Sequence, residues 1–242
     1  MANKSNSKAL DTLVEKLRDA HGDNLAAIVL YGSVAAGDHV EQHSDHNLLI
    51  ALNRIASEDL RRSQSALRDW LKLGQPTPVY FTVEELNRAA DVFPIEFLQM
   101  EKARKILYGR DPFELVEISQ ANLRHQTEYE LRTKLIQLRR LYIPASSSVE
   151  KLCDLMNDSL ASFAALFRAV LMLHGQEPPV SKADSVGGTV RLLGLDQSPF
   201  DQILQLRARN RDTLTEVEAN NVFSAYMSQI ERVIEAVDRI DR

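Results

Sequence analysis

Two short stretches of this chain combine residue types that can do chemistry together. The first is Ile28-Val-Leu-Tyr-Gly-Ser, an apolar run that stops on Gly32 and Ser33; the second is Ser44-Asp-His-Asn-Leu-Leu-Ile. Gly32 would let the backbone approach a phosphate closely, and Ser33 offers a hydroxyl and an N–H to its oxygens. Residues i and i+2 of a strand share a face. Asp45 and Asn47 therefore point together toward whatever the Gly-Ser turn holds. Two carboxylates there, with a third from a neighbouring strand, would bind the Mg²⁺ pair used for in-line attack on phosphorus. Position 47, however, is an amide. Unit charges in contact interact by about 4 kcal/mol at an effective dielectric of ~20. Losing one anion thus weakens both the metal and the activation of an attacking hydroxyl, although Asn can still ligate Mg²⁺ in some phosphoryl-transfer sites.

The elements that must position these residues can be read from periodicity. Leu10, Leu13, Leu17 and Ala20 mark one face of a helix that ends at Gly22. Leu25 to Tyr31 reads as a buried strand and Asn47 to Leu52 as a second. Ser57 can cap a helix whose inner face carries Leu60, Leu67, Trp70 and Leu71. A third strand is expected over 79–81, then a short helix begun by a capping box of Thr82 and Glu85. Residues 94–98 read as a fourth strand and 105–108 as a fifth. Beyond Asp111-Pro112 only helical periods remain. Leu131, Leu135, Leu138 and Tyr142 form one stripe; Leu152, Met156, Leu160, Phe163, Phe167 and Leu171 a second; Val222, Tyr226, Ile230, Val233, Val237 and Ile240 a third. Shorter helices are expected around 190–193 and 200–206. The pattern predicts an α+β head over 1–112 and an all-α antiparallel helical bundle over 113–242.

The Gly-Ser turn followed by Asp-x-polar at the head of a strand resembles the nucleotidyltransferase superfamily, the DNA polymerase β-like group, in its minimal form. The family signature is apolar-Gly-Ser, a loop, then Asp-x-Asp entering a strand. The resemblance covers about residues 20 to 110. It implies a mixed sheet with flanking helices, nucleotide binding at Gly32 and Ser33, and Asp45 and Glu96 as metal ligands. Phe93-Pro-Ile-Glu-Phe-Leu is similar to the strand that brings the third carboxylate. Asn47 departs from the second catalytic Asp, and His46 stands where the family has an apolar residue. By its own neighbours, Glu96 fits either a site-facing or a solvent-facing position, and Asp45 fits either a ligand or a loop cap. The activity implied is transfer of a nucleoside monophosphate from ATP or another nucleoside triphosphate, with Mg²⁺, to a hydroxyl of a small molecule or protein. The alternative is a catalytically inactive module for nucleotide sensing or protein interaction.

The helical half resembles the HEPN-type bundles that follow minimal nucleotidyltransferase domains, and a homodimer through it is one expectation. Arg168 and His174 match a loose HEPN ribonuclease spacing but stand earlier than the usual motif, where Arg207, Arg209 and Arg211 have no His behind them. Those arginines suit a phosphate-bearing ligand or a solvated face. The bulk composition excludes other classes. The 242 residues are 44% hydrophobic and 26% charged, with a formal charge of −5, which gives no global basic field for nucleic acid. The single cysteine, Cys153, excludes an intrachain disulfide framework and suits a buried position in a cytoplasmic protein. No signal-like segment or membrane span is expected.

Overall fold

The structure is a computed structural model that describes residues 2–36, 45–179, 181–206 and 214–240, with side chains from residue 8 onward except at 33 and 36. It divides into two compact units, Met1–Ile118 and Ser119–Arg242. The division falls after Ile118 because Phe113, Val116 and Ile118 still belong to the apolar core of the first unit.

The first unit is built on β1 (Leu25–Tyr31), whose residues 27 to 30 are all at most 5% exposed. With both faces covered, this strand reads as a continuous apolar run rather than an alternation. It pairs antiparallel with β2 (Asn47–Leu52) and with β4 (Arg104–Gly109), while β3 (Val79–Thr82) lies parallel to β2. The sheet order is β3-β2-β1-β4. A parallel pair needs a crossover, and α3 (Ser57–Lys72) lies between β2 and β3 in the chain. One face carries Ile28, Leu30, Leu48, Ile50 and Leu52 against Leu17 of α1 (Ala2–His21) and Trp70 of α3. The other carries Ala27, Val29, Leu49 and Ala51 against Leu86 of α4 (Val83–Arg88) and Phe97 of α5 (Pro94–Lys102). Between β1 and β2 lie Ser33–Ala36, a single helical turn called α2, and residues outside those described.

Three local expectations are corrected; one is that Leu60 and Leu71, expected on the inner face of α3, are 44% and 43% exposed. Residues 94–98 are not a strand but the first turns of α5, with Pro94 in the opening turn where its missing N–H costs nothing. Ser57 is not a cap: Ala56 occupies that position, and its N–H donates to Asp59 Oδ2 at 2.9 Å. The capping box at Thr82 and Glu85 is present, with Glu85 N–H on Thr82 Oγ1 at 3.0 Å and Thr82 N–H on Glu85 Oε2 at 2.7 Å.

The second unit holds α6 (Gln120–Ala145), α7 (Val149–Leu173), α8 (Lys182–Leu193), α9 (Ser198–Leu206) and α10 (Glu216–Asp238). The stripes on α6, α7 and α10 are buried except at their ends, where Tyr142 and Ile240 are half-buried and Ile240 lies beyond α10; Tyr142 stacks on Phe223 with ring centroids 4.3 Å apart. Helix α7 is its centre, packed by α6, α8, α9 and α10. It is long enough and, at a mean hydropathy of 1.3, apolar enough to cross a membrane. That corrects the expectation that no segment has this character: isolated charges interrupt the run but not its average. Cys153 is buried on this helix.

A buried polar cluster lies among the α1 and α3 contacts. His21, 5% exposed, shares a hydrogen bond of 2.8 Å with Ser63 Oγ. Burial holds the imidazole below its ordinary value of 6.5, partly offset by Asp59 and reinforced by Arg62. A depressed histidine is neutral in the folded state and charges first in the unfolded chain. Stability therefore rises with pH through this region and falls as pH drops below about 6.5. Urea titrations across that range should show the loss in the natural chain, and His21→Gln should flatten it. An unchanged slope in the variant would assign the loss to other groups.

Candidate functional site

The chain leaves β1 through Gly32, whose φ of +86° is in the left-handed region that favours glycine. Its N–H donates to Ala103 O at 2.9 Å, which ties the turn to the junction of α5 and β4. That N–H is thereby spent and is not free for a phosphate. Ser33 begins α2, and its backbone follows the turn directly.

Strand register places three side chains in a row across this end of the sheet. Tyr31 pairs with Asn47 on one side and with Arg104 on the other. Tyr31 packs with the core on the α4 and α5 face, and Arg104 lies 5.6 Å from the ring centroid of Phe113 in that same core. Directly paired residues share a face, so Asn47, Tyr31 and Arg104 form one surface. Asn47 Nδ2 closes on the turn: a Cβ at Gly32 would stand 3.4 Å from it. His46, just before β2, packs toward the α3 side. It meets Trp70 edge-on at 5.9 Å, and its N–H donates to Gln75 Oε1 at 2.9 Å.

The electrostatics of the row are not those of a cation site. Burial pushes the Tyr31 phenol up, so it stays neutral. Arg104 gives two hydrogen bonds to Asp111 Oδ2, from Nε at 3.0 Å and Nη2 at 2.6 Å, and a third from Nη1 to Glu101 O at 2.6 Å. Asp111 also accepts the N–H of Phe113 at 3.0 Å. This charge-assisted cluster fixes the guanidinium beside Tyr31. No sequence signal marked Arg104 and Asp111, because only strand pairing brings Arg104 beside Tyr31.

Of the carboxylates expected around a metal, Asp45 and Glu96 stand on different parts of the unit, one before β2 and one on α5. Asp45 is exposed and precedes β2 by two positions, so it retains the place the motif requires. Glu96 is exposed in the first turn of α5, not on a strand of this sheet. The strand alternation that would have aimed it at the site does not exist. On β3, the residues sharing the Asn47 face are Val79 and Phe81, partners of Leu49 and Ala51, and neither is acidic. Among the described residues no group of three His, Cys, Asp or Glu side chains could hold a metal ion. One exposed carboxylate beside a neutral amide does not fit the Mg²⁺ pair that the resemblance implies.

The arginine and histidine of the helical unit have ordinary structural partners. Arg168 Nη1 donates to Pro179 O at 2.5 Å, and His174 Nδ1 lies 2.9 Å from Val170 O at the end of α7. Arg207, Arg209 and Arg211 lie outside the described residues.

The Gly32 conformation gives a stability test. A non-glycine residue in the left-handed region costs about 1–2 kcal/mol. Gly32→Ala should lower the unfolding free energy by that amount, read in a urea titration as a lower midpoint at an unchanged m-value. A midpoint equal to that of the natural chain would contradict the positive φ.

No protein-family model matches this chain. No curated protein matches it in sequence. Among solved structures, the spectinomycin adenyltransferase AAD(9) from Enterococcus faecialis, crystallised with ATP and spectinomycin, superposes with a TM-score of 0.56 at 14% identity. The likeness covers 94% of this chain and 98% of that one. At this identity it is the fold that is shared, and the mixed sheet, flanking helices and C-terminal helices give this chain the α+β nucleotidyltransferase fold.

Proposed function

We propose that the Met1–Ile118 unit is a nucleotide-binding module that holds a nucleoside triphosphate at the Gly32–Ser33 turn without effective metal-dependent transfer. The observation that carries this reading is Asn47, whose amide stands against the Gly32 turn, while the β3 residues on its side of the sheet, Val79 and Phe81, are not acidic. A phosphate needs N–H and hydroxyl donors, which Ser33 and the Asn47 amide can supply, the Gly32 N–H being taken by Ala103. A divalent cation needs anions, and position 47 offers a neutral amide. Fold alone does not decide between the two roles.

Calorimetric titration of the full chain with ATP tests this. ATP should bind with an affinity that changes by less than about threefold when Mg²⁺ is added. Asn47→Asp restores the paired acids at i and i+2, and should make binding Mg²⁺-dependent, with a gain of roughly tenfold, or 1.4 kcal/mol. Absence of ATP binding with and without Mg²⁺ would overturn the proposal.

A second reading is favoured by one observation, the whole-length likeness to an adenyltransferase solved with ATP and a hydroxyl-bearing acceptor. In that reading Asp45 keeps enough of the site for slow transfer of a nucleoside monophosphate to a hydroxyl. Strong Mg²⁺ enhancement of ATP binding in the natural chain, with pyrophosphate release in the presence of spectinomycin, would select it over the first.

A further inference from the structure

The helical unit contains a pocket that the nucleotide reading does not use. It lies between α6 and α7, and its floor is formed by Leu138 and Phe163, both at most 2% exposed. Its volume is about 160 Å³, comparable to a cavity of roughly 150 Å³ that accepts benzene. A nucleotide is too large for it.

The rim is polar and carries both signs of charge. Lys134 stands on the α6 side and Asp158 on the α7 side, and Ser159 and Ser162 add hydroxyls. Neither Lys134 nor Asp158 has an ion-pair partner among the described residues, and they do not pair with each other. Among the other cations of α6, Arg132 pairs with Glu128 at 2.8 Å and Arg139 with Glu231 at 2.7 Å, while Arg140 has no ion-pair partner among the described residues. Ser159 is held from below, its Oγ 3.0 Å from Met156 O and 3.3 Å from Tyr226 Oη. Burial pushes the Tyr226 phenol far up, so it remains a neutral hydrogen-bonding partner under the pocket.

This combination selects among ligands. A purely apolar molecule would cover the floor but make nothing of the two opposed charges. A lone anion would meet Lys134 but also Asp158, and a lone cation the reverse. We propose that the pocket binds a small zwitterion with an apolar body, of the free α-amino acid class. Its carboxylate lies toward Lys134, its ammonium toward Asp158, and its side chain against Leu138 and Phe163. Both charges of such a ligand sit on one carbon, so its polar head is held at the rim between Lys134 and Asp158 while its side chain points to the floor.

The test is calorimetric titration of the full chain with L-valine, L-leucine and L-methionine. Isovaleric acid and isopentylamine serve as probes that lack one charge each. At least one amino acid should bind, and each single-charge probe should bind at least about tenfold more weakly. Lys134→Met should weaken the amino acid by a similar factor and abolish its advantage over isopentylamine. Asp158→Asn should abolish its advantage over isovaleric acid. Both are rim positions, so neither substitution removes core packing. The proposal is overturned if none of the three amino acids binds up to about 10 mM. It is equally overturned if the single-charge probes match them, or if both variants bind like the natural chain. These outcomes are independent of ATP binding by the other unit.

Discussion

The covering of both faces of β1 is the constraint on which the N-terminal unit depends. A strand buried on both sides must have partners for every backbone N–H and C=O, because an unpaired buried peptide group costs as much as a lost hydrogen bond. β2 and β4 supply them, one on each edge. Once those pairings are fixed, little freedom remains around the turn that follows. The register with β2 sets Asn47 beside Tyr31, and the register with β4 sets Arg104 on the other side. Gly32 then redirects the chain in a conformation that other residues resist, and its bond to Ala103 fastens the turn to the far edge of the sheet. The candidate site is thus a by-product of core packing.

That origin explains how charge can change at the site while its framework stays. Asn47 and Tyr31 lie at the sheet end, where side chains are half-buried rather than in the core. An amide there neither strains the strand nor leaves a buried charge to be paired. The fixed charges nearby are already committed: Arg104 to Asp111, with a main-chain carbonyl taking a further N–H. What remains is a surface of hydrogen-bonding groups beside one exposed carboxylate, Asp45.

Much of this organisation was legible in the residues. Leu25–Tyr31 and Asn47–Leu52 stand out because an apolar run ending in Gly-Ser, and one opening on Asp-His-Asn, have abrupt chemical edges. The Thr82 box was legible because both of its reciprocal bonds are encoded within four residues. The failure at 94–98 has a physical cause. A short apolar segment carries too few periods to separate a helix from a strand, and Ile95, Glu96 and Phe97 mimic alternation. Pro94 was the discriminating signal, since its fixed φ and missing N–H suit the first turn of a helix. The long stripes of α6, α7 and α10 left no such ambiguity. Arg104, Tyr31 and Asp111 could not be grouped from the sequence, because their proximity depends on which strands become neighbours.

Alternation along β2 also bears on how such a protein can change over evolutionary time. Leu48, Ile50 and Leu52 hold one core, Leu49 and Ala51 the other, and Asn47 belongs at the half-buried end of the second set. Asparagine and aspartate have nearly the same shape, so exchanging them at this position leaves both cores as they are. The adjoining exposed position, Asp45, is equally uncoupled from packing. The chemistry of this end of the strand can therefore change without disturbing either core.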